Sequence, residues 1–118
     1  MFFIQYPKCS TCKKAKAWLD SHKVDYVDRH IKEDNPSYKE LKDWYERSGL
    51  ELKRFFNTSG QLYKSMQLKD KIPLMTDEEK LELLASDGML VKRPLIVADD
   101  FILVGFKEKE WEAALIRN

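Results

Sequence analysis

Apolar residues follow two different periods along this chain, and the changes of period mark its elements. The opening run Phe2-Phe3-Ile4, with Gln5-Tyr6 behind it, has the density of a buried strand, and Pro7 ends it. After Cys12 the spacing lengthens. Ala15, Trp18 and Leu19 recur at i, i+3, i+4 and share one face of a helix, which turns Lys13, Lys14 and Lys16 toward solvent or the helix entrance. From Val24 to Ile31 the pattern shortens again and is rich in Val, Tyr and Ile, which predicts a second strand. Strand, helix and strand within about thirty residues form the smallest parallel crossover.

The middle of the chain is helical. Asn35-Pro36-Ser37-x-x-Glu40 combines a proline near the first turn with a capping box, and Leu41, Trp44 and Tyr45 repeat the helical face before Gly49. Leu52, Phe55 and Phe56 predict one further apolar turn, Asn57-Thr58-Ser59-Gly60 a loop, and Leu62, Tyr63 and Met66 a short helix. Thr76-x-x-Glu79 is a second capping box ahead of Leu81, Leu83 and Leu84, with Gly88 expected to close that helix. The period then returns to that of strands. Leu95-Ile96-Val97 reads as a strand, Asp99-Asp100 as a turn, and Phe101 to Val104 as the hairpin partner. Lys107 to Ile116 ends the pattern as a helix with Trp111, Ala114 and Leu115 inward. The order is β-α-β, a helical insert over roughly 36–88, then β-β-α. With Cys-x-x-Cys leaving the first strand and opening the first helix, this is an α/β chain of thioredoxin-like arrangement. The absence of repeats and linkers makes residues 1–118 one domain.

Composition narrows the function classes. An apolar share of 43% supports a core and a charged share of 35% a soluble surface. Twenty-one Lys+Arg against twenty Asp+Glu leave a formal charge of +1, so no general attraction to nucleic acid or anionic membrane is expected. No run approaches the ~18 apolar residues of a spanning helix. The opening residues lack the basic lead of a signal peptide, and a cytoplasmic location is the expectation.

Cys9 and Cys12 are the two cysteines of the chain. Such a pair is half of a zinc site, a redox couple, or two apolar fillers. Zinc needs two further ligands, and His22 and His30, expected at a helix end and a strand end facing solvent, do not have finger spacing; no metal is expected. The redox reading has a physical basis. Only the thiolate attacks a disulfide or an oxyanion centre, and a helix N-terminus favours the anion through free N–H groups and the helix dipole. Cys9 sits just before the helix with Lys8, Lys13 and Lys14 close in sequence, so Cys9 is the expected nucleophile and Cys12, one turn on, the resolving thiol. Ser10 and Thr11 carry hydroxyls that can serve the sulfur or a bound anion. Lys92-Arg93-Pro94 precedes a strand, where thioredoxin-like folds place a cis proline opposite the active cysteine. Arg93 would then aim a guanidinium at Cys9 and hold an oxyanion in a bidentate grip. Alternatively, Arg93 is a surface residue and Pro94 merely opens the strand. Asn57, Thr58 and Ser59 are donors for a polar pocket, or equally a cap and turn. Trp18, Trp44 and Trp111 are expected in the core.

Three segments carry a family resemblance: Tyr6-Pro7-Lys8-Cys9-Ser10-Thr11-Cys12-Lys13-Lys14-Ala15; Leu52 through Gly60; and Leu83-Leu84-Ala85-Ser86-Asp87-Gly88-Met89-Leu90 leading into Lys92-Arg93-Pro94-Leu95, with Val104-Gly105-Phe106 beyond. The chain resembles the glutaredoxin-linked arsenate reductases (ArsC), a family that also holds the Spx-type transcriptional regulators. The resemblance implies a thioredoxin-like core with a helical insert. It implies that Cys9 attacks arsenate, another small oxyanion or a disulfide, with no bound cofactor, and that glutathione with glutaredoxin, or thioredoxin, is the external reductant. Of the three arginines around the cysteine in the reductases, one matches Arg93, while the others fall near Asn57 and Gly105. Lys53, Arg54 and Lys107 are candidate substitutes. The Cys-x-x-Cys and the Gly105-Phe106 pair look more like the Spx branch, whose members bind the C-terminal domain of the RNA polymerase α subunit and use the cysteines as a redox switch. The Asn57–Gly60 segment resembles a third, arsenate-reductase-like branch without an established substrate. Together these make Cys9, Cys12 and Arg93 the expected catalytic residues and Ser10, Thr11, Asn57 and Pro94 the expected substrate contacts.

Overall fold

The computed structural model describes residues 1–116; Arg117 and Asn118, the end of the expected 1–118 domain, lie outside the described residues. Four strands, β1 (Phe2–Gln5), β2 (Val27–His30), β3 (Leu95–Val97) and β4 (Ile102–Val104), form one sheet in the order β2-β1-β3-β4. β1 and β2 run parallel, connected by helix α1 (Ser10–Ser21), while β3 pairs antiparallel with β1 and with β4. This is the thioredoxin-like order expected from the sequence.

Alternation of side chains along the central strands divides the core between two layers. Phe3 and Ile96 face one side, where Ala15, Trp18 and Leu19 of α1 meet Trp111 of the last helix, α6 (Glu108–Leu115). Trp111 is fully buried, stands edge-on to Trp18 and Phe106, and donates its indole N–H to the Gly105 carbonyl at 3.0 Å. Ile4, Leu95 and Val97 face the other side, against the helical insert. The insert holds α2 (Tyr38–Ser48), α3 (Gln61–Ser65), α4 (Leu68–Lys71) and α5 (Asp77–Ser86), with 3₁₀ turns at Leu52–Phe55, Ile72–Leu74 and Gly88–Leu90. Because β3 is covered on both faces it reads as a continuous apolar run rather than an alternating one.

Both capping boxes form. Ser37 and Glu40 exchange side chain–backbone hydrogen bonds at the start of α2, as do Thr76 and Glu79 at α5. Gly49 ends α2 in the left-handed conformation, with φ of 68°.

Three expectations change. β2 begins at Val27 rather than Val24, because Val24 is consumed in closing α1: its N–H bonds the Leu19 carbonyl and the Lys23 N–H that of Asp20, with Lys23 left-handed. These are the paired bonds of a Schellman closure. Gly88 does not cap α5, which ends at Ser86; it opens the following 3₁₀ turn, pressed so close to the Ile31 backbone that a Cβ would overlap the Ile31 carbonyl oxygen. His30 is half-buried rather than solvent-facing, and its Nδ1 accepts the N–H groups of Lys32 and Glu33, each at 3.2 Å.

Sequence patterns give no sign of an ion pair between sheet and insert with its arginine buried and its carboxylate half-buried. Arg29 on β2 is only 8% exposed and grips Glu40 through Nη1 at 2.7 Å and Nη2 at 2.9 Å. The same carboxylate completes the α2 capping box, so one side chain ties the insert to the sheet.

Candidate active site

The turn after β1 sets the geometry. The Cys9 N–H bonds back to the Tyr6 carbonyl at 3.0 Å, and Cys9 becomes the N-cap of α1 in an extended conformation. Its sulfur therefore stands at the positive end of a three-turn helix whose first turn carries no acidic residue. Both cysteines are free thiols; Cys9 is partly exposed and Cys12 is buried.

The pair is electrostatically unequal. Burial by itself would raise the Cys9 thiol, but donation from the Cys12 N–H and thiol and from the Thr11 N–H, together with the Arg93 charge, outweighs burial and lowers it. Cys12 is pushed up to about 12, first by burial and then by donating to, and lying beside, the Cys9 sulfur. The pair therefore favours ionisation at Cys9, whose sulfur accepts a hydrogen bond from the Cys12 thiol, over ionisation at Cys12. A Cys9 thiolate can attack an electrophilic sulfur or arsenic, and the protonated neighbour stays in reserve.

The Arg93–Pro94 peptide is cis. The Arg93 guanidinium lies over the Tyr6 ring with its carbon 5.3 Å from the centroid, and Nη1 donates to the Met89 carbonyl at 3.3 Å. Its Nε is buried without a hydrogen-bond partner. The arginine is thus held from both sides beside the cysteines rather than free on the surface.

A cavity of about 480 Å³ opens over Cys9, lined also by Thr11, Asn57 and Arg93. Asn57 is nearly buried; its N–H bonds the Leu90 carbonyl at 2.8 Å and its Oδ1 accepts from Ser59 Oγ at 3.4 Å. Ser10 is exposed at the first position of α1 and Pro94 is buried, so neither lines the cavity. A helix turns successive residues about 100° apart, so Ser10 cannot share the direction of Thr11.

Arg54 and Lys107 do line the cavity, while Lys53 borders a separate groove beside Arg54. Lys92 lines it too, a placement that the sequence alone does not reveal. Its only signal is position, one residue before the arginine at the mouth of β3. Four cations surround the cavity, and among the described residues no carboxylate faces it.

Among the described residues no group of three or more His, Cys, Asp or Glu side chains converges as a metal site, and no helix is long and apolar enough to cross a membrane.

The model of the ArsC family matches residues 4–114. The chain is 54% identical over 110 residues to the uncharacterized protein YusI of Bacillus subtilis, covering 93% of each. It is 32% identical over 108 residues to the regulatory protein MgsR of the same organism, covering 92% of this chain and 84% of that one. A solved ArsC family related protein from Bacteroides fragilis superposes with a TM-score of 0.93 at 55% identity, over 95% of this chain and 94% of the other.

Proposed function

The chain belongs to the ArsC family, and we propose that within it the protein is a thiol–disulfide oxidoreductase of arsenate-reductase-like type. The observation that carries this reading is the unequal pair at the start of α1: Cys9 lowered, Cys12 raised to about 12, and a cation beside both.

The chemistry follows from that inequality. With a disulfide, the Cys9 thiolate displaces one half as a thiolate and forms a mixed disulfide. Loss of the Cys9 negative charge removes one of the influences that raise Cys12. Cys12 then gives up its proton, attacks Cys9 Sγ and expels the second thiolate. Two electrons pass to the substrate, and a Cys9–Cys12 disulfide remains. With arsenate, Cys9 displaces water from arsenic, and attack of Cys12 on Cys9 Sγ leaves the S–As electron pair on arsenic as arsenite. Arg93 offsets the negative charge in either case. An external dithiol, thioredoxin or a glutathione–glutaredoxin couple, restores the pair. Two cysteines three positions apart, with none elsewhere to build a disulfide framework, suit a reducing compartment, and a cytoplasmic location is part of this proposal. The test is turnover of arsenate and of small disulfides with both reductant systems. Wild type is expected to turn over at least one substrate, and Cys9→Ser none; equal rates refute the mechanism.

A second reading, a redox-sensing regulator, is favoured by the 32% identity to MgsR. It predicts that oxidation of Cys9–Cys12 changes affinity for the C-terminal domain of the RNA polymerase α subunit without turnover. A pull-down with no binding in either redox state removes it.

A further inference from the structure

The cavity over Cys9 is too large and too widely charged for a bare oxyanion. A tetrahedral oxyanion occupies the space of about two or three waters at ~30 Å³ each. At about 480 Å³ the cavity instead falls in the size class of sites for organic small molecules. It does not end at the cysteine. Asn57, Ser59, Gly60 and Arg93 form a shared rim with a second cavity of about 670 Å³ that runs along the start of α3.

Its cations are spread in the same way. Arg54 comes from the 3₁₀ turn at Leu52–Phe55, Lys92 from the segment before β3, and Lys107 from the N-cap of α6. They enter from three separate elements, none shared with Cys9. Lys92 passes close to Gly105. Gly105 also lines the cavity, with φ of 78°, and a Cβ on it would come within 3.3 Å of Lys92 Cε. A side chain at position 105 would be strained and would press on the lysine.

A ligand suited to this space has an electrophilic sulfur for Cys9 and anionic groups on arms long enough to reach separated cations. We propose, building on the thiol–disulfide reading above, that the substrate class is a low-molecular-weight disulfide bearing two or more anionic groups, recognised by Arg54, Lys92 and Lys107. Cys9 attacks one sulfur, the first anionic thiolate leaves, and Cys12 displaces the second, so that the protein dithiol supplies both electrons. Charge complementarity across a cleft acts chiefly on encounter and is weakened by salt.

The test uses pre-reduced protein in single turnover, so no external reductant enters. Three aliphatic disulfides serve as probes: 3,3′-dithiodipropionate (dianion), 2,2′-dithiodiethanol (neutral) and cystamine (dication). Each rate is divided by the rate of the same probe with 2-mercaptoethanol, which removes intrinsic reactivity. The expected normalised order is dianion, neutral, dication, with a dianion-to-dication ratio of at least about tenfold at low salt that shrinks at high salt. The ratio is expected to collapse in R54Q/K92Q/K107Q. It is expected to persist in K39Q/K42Q/K69Q, which removes as many charges from exposed positions outside the cavity. Equal normalised rates in wild type, with Cys9-dependent reduction of the neutral probe intact, overturn this substrate class while the thiol chemistry stands. A ratio that survives in the cavity variant overturns the assignment of the three cations. No Cys9-dependent reaction with any probe overturns both this inference and the reading it rests on.

Discussion

Replacing Glu40 by Gln isolates the charge that ties the helical insert to the sheet. Glutamine retains a side-chain oxygen for the Ser37 N–H, so the capping box can survive. What is lost is the carboxylate held by Arg29 at 2.7 and 2.9 Å. The Arg29 guanidinium, with burial opposing and the Ser37 N–H helping, holds Glu40 at about 2 rather than 4.5. At ~1.36 kcal/mol per pH unit that displacement corresponds to about 3 kcal/mol. The Glu40 side chain is 35% exposed, and solvent screening reduces the figure to about 2 kcal/mol. The pH dependence has a definite sign. A carboxyl lowered by folding stabilises above its unfolded value, near ~4.3, and that contribution disappears as pH falls through the folded value of about 2. Urea unfolding of wild type and E40Q at several pH values is the assay. A gap of about 2 kcal/mol at pH 7, closing toward pH 2, is expected. Replacing both partners, in R29M/E40Q, is expected to recover part of the loss, since E40Q leaves the buried guanidinium only the exposed Asp34 carboxylate, 3.3 Å from Nε, and the double variant removes the guanidinium charge. A gap under about 0.5 kcal/mol at pH 7, or one that does not change with pH, would refute the reasoning.

Further perturbations separate the site from its frame. Iodoacetamide is expected to label Cys9 at pH values below the range of an ordinary thiol and to leave Cys12 unmodified, and Arg93→Gln is expected to slow Cys9 labelling at neutral pH by a few fold; mass spectrometry against pH reads both effects. Gly88→Ala drives a methyl into the Ile31 carbonyl, and a loss of at least about 3 kcal/mol in chemical denaturation is expected. Thr76→Ala removes the oxygen that accepts the Glu79 N–H, for a loss of about 1 kcal/mol in the same assay.

The sequence was most informative where one short segment contains both partners of an interaction. Ser37 with Glu40, and Thr76 with Glu79, are each confined to one helical turn, and both boxes form. The junction of β1 and α1 is similarly local, so the place of Cys9 at a helix N-terminus could be read from the change of period alone. Prediction weakened where partners meet only after folding. Arg29 lies in a short polar-looking strand, and nothing near it announces a carboxylate eleven positions on. Lys23 adopts the left-handed turn usually given to glycine, so the end of α1 carries no signal in the sequence, and β2 begins at Val27, three residues after the start its pattern predicts. Gly88 looked like a helix stop because its real constraint, the Ile31 backbone, is far away in sequence. Arg54, Lys92 and Lys107 come from three elements, and only the closed fold places them on one cavity.

The most direct measurement is mass spectrometry of the reduced protein after brief exposure to a small disulfide, with wild type, C12S and C9S in parallel. Wild type is expected to lose two hydrogens as Cys9–Cys12 closes, C12S to retain half of the disulfide on Cys9, and C9S to stay unmodified. An adduct on Cys12 in C9S that forms as fast as the one on Cys9 in C12S would contradict the account.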